Sequence, residues 1–403
     1  MLFNKTRDHT IMIGKLKTAL LLSYICIASI SAAIITPALP NIQHYFSLSK
    51  GSVEWIISIF LLGYVLGQLI YAPIANSFGR IKALQAGLWI NLIGIIICLF
   101  SMHIDNYSLL LFGRLITALG AASGLTCTFM LINELLEPKK AKQAMSLAIV
   151  AFTIGIGLAV LLGSLITQYL QWQDCFVLLF VHGVVMLVLT KQFPETLKTP
   201  KPLHPKTIVL NYLVAFKHSQ LIIFSLIVGF VSVFAYGYSA TAPIYAQTIL
   251  NLSPSQYGYW NCLNMIGMCA GGLICANLIR KIGEKCVLIL GLSLTLPGLL
   301  ALMIFSFQKS DNTLFFFLNT TYLYLVTGLL FSSASYFASN AISDRASASS
   351  AMSFINMGSA MVGVIILGYL PFNSALSFSI ILGCFYIIIV LLTVWAMTKM
   401  ARR

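Results

Sequence analysis

Long apolar runs, separated by short polar or charged segments, dominate this sequence. Twelve of them have about 18 residues or more, the length at which an apolar helix crosses a bilayer. They lie near residues 18–40, 54–75, 83–101, 107–133, 144–168, 175–193, 219–248, 256–279, 286–306, 313–338, 351–371 and 374–396. The pattern therefore predicts an all-α integral membrane protein with twelve transmembrane helices.

The composition agrees with a membrane protein. Of the 403 residues, 59% are apolar and only 8% are charged, whereas soluble domains carry about 25% charged residues. A water-soluble enzyme is thereby excluded. The formal charge of +14 would suit a nucleic-acid partner if it lay on one face of a folded domain. The basic residues lie between the apolar runs instead, so we expect a lipid bilayer and no nucleic acid as the partner.

The basic residues also predict how the chain is oriented. Of the 24 lysines and arginines, 21 lie in the termini and in alternate loops, while the opposite loops hold Lys50 and Lys309. Because positive residues concentrate on the cytoplasmic side, both termini are predicted to be cytoplasmic. The remaining cation, Arg114, falls inside an apolar run.

A basic segment with four prolines divides the runs into six and six. Such a segment resists regular packing. We therefore expect an N-terminal six-helix bundle at residues 1–193, a cytoplasmic linker at 194–218 and a C-terminal six-helix bundle at 219–403. A weak repeat supports the division, because Trp55 and Trp260 open corresponding runs 205 residues apart. Internal repeats of this kind are typical of transporters whose halves rock about a central site.

Four short motifs resemble those of a known family. They are Pro37-Ala38-Leu39-Pro40, Gly67-Gln68-Leu69-Ile70-Tyr71, Phe78-Gly79-Arg80 and Phe112-Gly113-Arg114-Leu115. The chain resembles the major facilitator superfamily and, within it, the twelve-helix bacterial drug:proton antiporters of the bicyclomycin-resistance (Bcr/CflA) type. The resemblance implies the major facilitator fold with two pseudo-symmetric halves, a multi-pass protein of the bacterial inner membrane, proton-linked efflux and a monomer.

The loop after the second run departs from the family pattern. The family has Gly-x-Leu-x-Asp-Arg-x-Gly-Arg-Arg there, and this chain has Asn76 for the aspartate and Ser77 for the first arginine. A tight glycine turn followed by a cation can link two helix ends. Asn76, Gly79 and Arg80 are therefore expected to form a cytoplasmic gate motif, with Glu134 as the partner of Arg80. The alternative is that Arg80 serves only as a topology signal.

Candidates for proton coupling are few. None of the ten acidic residues lies near the middle of a run, although coupling commonly uses a titratable group within the membrane. The aspartate that the family carries in the first run is Ala33 here. The remaining candidates are His182, Glu54 and Glu134, and His182 could instead be a packing residue. Proton antiport is thus implied by the resemblance alone.

Arg114 is the sharpest single signal, because a charged residue within a span costs about 3 kcal/mol on insertion scales and persists mainly where it faces a cavity. No carboxylate lies at the same depth in the sequence pattern. One hypothesis is that its planar guanidinium attracts an anionic group of the substrate. The alternative is that it pairs with backbone carbonyls and braces the bundle.

Uncharged polar side chains inside the runs could bind an amphipathic substrate by stacking and hydrogen bonding. The candidates are Gln68, Tyr64, Asn91, Tyr236, Asn264 and Asn356. For each one, hydrogen bonding between helices is the alternative. Gly-x-x-x-Gly pairs such as Gly63/Gly67 and Gly267/Gly271 are expected to allow close helix crossings rather than to bind ligand.

A secondary transporter is the function class that these observations favour. The sequence has no phosphate-binding Gly-x-x-x-x-Gly-Lys-Ser/Thr motif and no cluster of residues that would activate a nucleophile. It indicates no cofactor and no metal site, and its nine cysteines are scattered singly. We expect proton-linked export of a small amphipathic or anionic molecule by alternating access. The alternative is an importer or facilitator of a carboxylate-bearing metabolite or siderophore, which Arg114 and the scarcity of acids would suit.

Overall fold

The computed structural model describes residues 14–200, 202, 217–342, 345–371 and 373–401. Most of the predicted linker, residues 201 and 203–216, lies outside the described residues, as do Lys5, Arg7 and the two C-terminal arginines.

The described residues are almost entirely helical, as the apolar runs predict. The helices are α1 (Lys15–Ala33), α2 (Leu39–Tyr45), α3 (Lys50–Phe78), α4 (Arg80–His103), α5 (Tyr107–Leu135), α6 (Pro138–Tyr169), α7 (Asp174–Leu189), α8 (Ser219–Thr248), α9 (Pro254–Phe307), α10 (Thr313–Ser339), α11 (Arg345–Tyr369) and α12 (Ser374–Ala401). Eleven segments of the described chain are long and apolar enough to cross a membrane, with α1 and α2 taken as one segment.

The first predicted run is interrupted. Helix α1 ends at Ala33, a 3-10 turn follows at Thr36–Ala38, and α2 begins at Leu39. Pro37 and Pro40 lie in this stretch, and proline has no N–H to donate to an α-helical bond. The prolines therefore explain why one continuous apolar run becomes two helices.

Two other predicted runs fall on the arms of one bent helix, α9. An unbroken helix of 54 residues would be about 80 Å long at ~1.5 Å per residue, far more than a bilayer core of about 30 Å. Gly283 interrupts it with a positive φ of 78°. Glycine adopts this conformation without steric cost, so the chain turns back here between the runs predicted near 256–279 and 286–306.

The loops gather at two ends of the bundle. One end, which we call the distal end, carries loops 46–49, 104–106, 170–173, 249–253 and 308–312, and residues 370, 371 and 373. Its loops contact one another, since the Tyr45 hydroxyl donates to the Asp105 carboxylate and the Tyr45 ring packs edge-on against Trp172. The opposite, proximal end carries Lys15, Gly79 and Gly283.

The N-terminal and C-terminal halves meet through α3 against α11 and through α6 against α9. Three hydrogen bonds that join the halves lie at the distal end. The Trp55 indole donates to the Tyr369 hydroxyl at 3.0 Å, Lys50 Nζ donates to Ser377 Oγ at 2.9 Å, and the Gln247 amide donates to the carbonyl oxygen of Pro37 at 3.3 Å. The distal end is therefore closed in this structure.

Candidate functional site

Four of the predicted binding residues lie on the helices that meet between the halves. Tyr64 and Gln68 belong to α3, Tyr236 to α8 and Asn356 to α11, and α11 packs against both other helices. We call these four residues the central face. Tyr236 is close enough to Tyr64 to interact with it electrostatically across the halves. Met357, next to Asn356, packs against the apolar cluster that contains Tyr64.

Two acceptor atoms of the central face lack a partner in the part of the chain that the structure describes. Gln68 Oε1 and Asn356 Oδ1 are both buried there without a hydrogen bond. A buried polar atom without a partner is unfavourable, and a ligand that donates an N–H or O–H group would satisfy it. With the Tyr64 ring one turn from Gln68 on α3, the surface suits an amphipathic molecule.

The other two predicted binding residues, Asn91 and Asn264, each lie within one half, and their side-chain amides already form hydrogen bonds there. Asn91 donates to the carbonyl oxygen of Thr117 at 2.9 Å, which ties α4 to α5. Asn264 takes part in four hydrogen bonds, with the Tyr238 hydroxyl at 2.7 Å, Asn261 at 3.0 Å, Thr320 at 2.9 Å and Thr321 at 3.0 Å. Their surroundings favour the alternative of hydrogen bonding between helices over direct substrate binding.

Arg114 is fully buried in the N-terminal half, at 0% exposure. Its Nη1 donates to the carbonyl oxygen of Ser31 at 2.9 Å, and its guanidinium carbon lies 4.3 Å from the centre of the Phe60 ring. This arrangement links α1, α3 and α5 and favours the bracing role. However, Nε and Nη2 have no hydrogen-bond partner among the described residues, so bracing accounts for only part of the guanidinium's hydrogen-bonding capacity.

The three candidates for proton coupling have different surroundings. Glu54 is buried on α3 at the distal contact between the halves. His182 is half-buried on α7, which packs against α4 within its own half. Glu134 lies at the proximal end of α5, where it is paired with Arg80. Of the three, Glu54 alone is at the contact between the halves.

The ion pair expected between Arg80 and Glu134 is present at the proximal end. Arg80 Nη2 lies 2.8 Å from Glu134 Oε1, and Nε lies 3.1 Å from each carboxylate oxygen. Arg80 Nη1 also donates to the carbonyl oxygen of Ala75 at 2.9 Å, and the Thr196 hydroxyl donates to Glu134. Asn76 is half-buried one residue beyond Ala75. The network ties α3, α4 and α5 of the N-terminal half together.

Sequence reasoning missed Glu195, which completes this network. Its carboxylate accepts hydrogen bonds from the backbone N–H groups of Arg80 at 2.8 Å and Ile81 at 3.1 Å, which are unsatisfied donors at the start of α4. Gly79 has a φ of 119°, and a Cβ there would lie 2.3 Å from Glu195 Oε2, so the turn requires glycine. Glu195 is the only acidic residue between Asp174 and Glu284 in the sequence. This isolation among basic residues is the feature that could have indicated a specific role for it.

The pKa of the Glu195 carboxyl group agrees with its role as a cap at the start of α4. Partial burial of the carboxyl group raises its pKa, but the backbone N–H donors of Leu197, Arg80, Lys82 and Thr196 outweigh this and hold the pKa below its usual value. A carboxyl group with a lowered pKa stabilises the folded state at neutral pH. That contribution is lost as the pH falls through the folded-state pKa.

We expect Glu134→Gln to lower the free energy of unfolding by about 1–2 kcal/mol, because it removes a charge-assisted, two-pronged hydrogen bond to Arg80. The matched control is Glu137→Gln, three residues further on. Glu137 pairs with Lys140 at 3.4 Å and both side chains are 48% exposed, so its loss costs little. Thermal unfolding in detergent measures both, and equal melting temperatures for the two variants would contradict the assignment.

A two-part bundle of membrane-length helices with a polar face between its halves defines a membrane carrier. The model of the Major Facilitator Superfamily matches residues 21–367, and the chain belongs to this family. The resemblance expected from its motifs is thereby confirmed, and the protein is a transporter rather than an enzyme.

Similar proteins include both transporters and resistance proteins. The chain is 26% identical over 302 residues to an "Uncharacterized transporter" of Rickettsia bellii, covering 71% of each chain. It is 22% identical over 263 residues to the "Bicyclomycin resistance protein homolog" of Haemophilus influenzae, covering 64% of this chain and 65% of that one. The fold is similar to a partially occluded, inward-open structure of the xylose transporter XylE from E. coli, with a TM-score of 0.73 at 14% identity, covering 93% and 95% of the chains.

Proposed function

We propose that this protein is a monomeric, proton-linked exporter of a small amphipathic molecule in the inner membrane of a bacterium. In this proposal the arms of α9 on either side of Gly283 are separate spans, so twelve spans leave both termini in the cytoplasm. The six-helix halves are residues 1–193 and 219–403, joined by the linker at 194–218. The distal end then faces away from the cytoplasm.

The observation that carries the proposal is the pair of unpartnered acceptors on the central face, Gln68 Oε1 and Asn356 Oδ1. They come from opposite halves. Tyr64 lies on the same helix as Gln68, and Tyr236 lies on α8, which packs against the helix of Asn356. No charged residue belongs to this face, so a molecule with an aromatic or apolar body and a few donors suits it best. The Haemophilus relative is named a bicyclomycin resistance protein homolog, which supports export.

Alternating access would use the contacts already described. In this structure the halves touch at the distal end through Trp55–Tyr369 and Lys50–Ser377. The proximal charges pair within their own halves, Arg80 with Glu134 and Arg280 with the Asn277 side chain at 2.5 Å. Rocking that separates the distal contacts and closes the proximal ends would expose the central face to the other side.

A second candidate is an importer or facilitator of a carboxylate-bearing metabolite or siderophore. The observation that favours it is the unpartnered Nε and Nη2 of Arg114, whose planar guanidinium matches a carboxylate. For this function Arg114 would have to become accessible, since it is sealed beneath Phe60 here.

Direction of transport separates the two functions. In cells that lack the gene, we expect accumulation of an amphipathic dye such as ethidium to rise by several-fold, and the wild-type gene to reverse this. A double variant, Gln68→Leu with Asn356→Leu, should not restore export although it is isosteric enough to fold. Unchanged dye accumulation, together with lower uptake of a labelled tricarboxylate, would favour the importer instead.

A further inference from the structure

Glu54 is a buried carboxyl group at the distal contact between the halves, and the transport cycle described above gives it no role. It is 1% exposed, and neither of its carboxyl oxygens has a hydrogen-bond partner among the residues that the structure describes. The backbone of α11 covers it, since a Cβ on Gly368 would lie 3.1 Å from Glu54 Oε2. The group is therefore covered by a residue from the other half of the molecule.

The helices around Glu54 are in close contact. We call Gly51, Glu54 and Trp55 of α3, with Gly368 and Tyr369 of α11, the distal seam. A Cβ on Gly51 would lie 3.2 Å from the carbonyl oxygen of Gly368, and a Cβ on Gly368 would lie 3.0 Å from the Cα of Gly51. Water has no room to reach the carboxyl group while these two backbones touch. Separation of α3 from α11 would expose it to the distal solution.

Ionisable groups around the seam lie on several elements. Lys50, one turn before Glu54, attracts its charge and donates to Ser377 Oγ of α12 at 2.9 Å. Tyr107 of α5 donates to the carbonyl oxygen of Ser52, and Tyr369 of α11 accepts a hydrogen bond from Trp55. Helix α2, which also packs against α3, carries His44 in its last turn, and helix α8 carries no acidic or basic residue. Among these groups Glu54 is the buried carboxyl group.

Burial without hydrogen bonds penalises a carboxylate far more than a neutral carboxylic acid. The closed seam therefore favours the protonated form, and the open seam allows ionisation. We propose that Glu54 takes up a proton from the distal solution when the seam closes and returns it when the seam opens, so that protonation controls distal closure. The proposal rests on the alternating-access function above and gives that function a proton-dependent step.

The test is the distance between the two halves at the distal end as a function of pH. Spin labels are placed at His103→Cys and Gln308→Cys, which are exposed positions at the distal ends of α4 and α9. The exposed thiols Cys286 and Cys384 are replaced by serine in this background. Pulsed electron resonance on the full chain in nanodiscs, without added cargo, reports the closed and open populations between about pH 5 and pH 8.5, a range that extends to both sides of neutral pH.

In the wild-type background, we expect the closed-to-open ratio to rise by about tenfold or more as the pH is lowered across this range, since one coupled proton changes an equilibrium by up to tenfold for each pH unit. Glu54→Gln, a neutral isostere, should remain closed with less than about a twofold change. Glu54→Met provides a second neutral variant in case the glutamine does not fold. His182→Gln is the matched control and should keep the wild-type pH dependence.

Three results would overturn the proposal: a wild-type ratio that does not change with pH, a Glu54→Gln or Glu54→Met ratio that follows the wild-type curve, or loss of the pH dependence in His182→Gln. The measurement is independent of transport. If the wild type closes through Glu54 but moves no cargo in vesicles, the proposed function fails and this inference stands. If cargo moves in vesicles and closure of the distal end does not depend on Glu54, this inference fails and the proposed function stands.

Discussion

Replacing Arg114 by methionine is expected to leave the protein folded and to reduce transport by about tenfold or more. The guanidinium is fully buried, and two of its donor atoms lack hydrogen bonds. Such a cation destabilises the fold, because the desolvation penalty is not fully offset. Methionine has similar length and its sulfur packs well against an aromatic ring such as Phe60. The melting temperature should therefore stay the same or rise.

Transport should fall because Arg114 joins three helices of the N-terminal half. It holds the last turn of α1 through the Ser31 carbonyl oxygen and lies over Phe60 of α3, which is also the helix of Tyr64 and Gln68. Arg114→Lys is the control that keeps the charge but loses the planar contact with Phe60, and it should also transport poorly. Wild-type rates in Arg114→Met would contradict any functional role for the residue.

The kinetic pattern of these variants distinguishes the two hypotheses for Arg114. If Arg114 braces the half, kcat falls and KM for the cargo is unchanged. If Arg114 binds an anionic group of the cargo, KM for a carboxylate rises in both Arg114→Met and Arg114→Gln. The position of Arg114 beneath Phe60 favours the first pattern.

Gly271→Val is expected to prevent folding, with the yield of monodisperse protein falling by about tenfold or more. A Cβ on Gly271 would lie 2.2 Å from the carbonyl oxygen of Leu325, and one on Gly267 would lie 2.4 Å from that of Thr321. The obstructing atoms are backbone atoms of α10, which cannot turn aside as a side chain can. Overpacking of this kind costs about 1–3 kcal/mol or more, and a β-branched side chain enlarges the clash.

The control for Gly271→Val is Gly358→Ala on α11. A Cβ at Gly358 would meet no atom within 4 Å, and the residue has an ordinary helical φ. We expect its yield and melting temperature to match the wild type. Folded Gly271→Val protein that melts at the wild-type temperature would show that α9 and α10 do not depend on this close crossing. Size-exclusion chromatography of detergent extracts provides the measurement.

The helices were predictable from the sequence because membrane-length apolar runs leave little choice of secondary structure. The Gly-x-x-x-Gly pair at Gly267 and Gly271 likewise indicated a close helix crossing, and the structure shows that the helix crossed is α10. Interruption of the first run at Pro37 was not predicted, since apolar residues continue through it and only the missing N–H of proline breaks the helix.

Parts of the site followed from local sequence and others did not. The Arg80–Glu134 pair could be proposed because both residues end runs on the same side of the membrane. Glu195 was not predicted, because its role depends on the chain after α7 returning to the start of α4. The same limit applies to Glu54, whose cover is Gly368 from the other half. The hydrophobic pattern of one run does not show which residues from distant parts of the sequence pack against that run.

The central claim is that a proton gradient drives an amphipathic molecule through a site between the halves. The direct measurement is transport by the purified protein in liposomes under an imposed pH gradient, comparing a lipophilic cationic dye with a small polycarboxylate in the wild type and in Arg114→Gln. We predict that the gradient drives the dye and not the polycarboxylate in the wild type. Polycarboxylate movement that disappears in Arg114→Gln, with no movement of the dye, would contradict the account and identify a dedicated anion carrier.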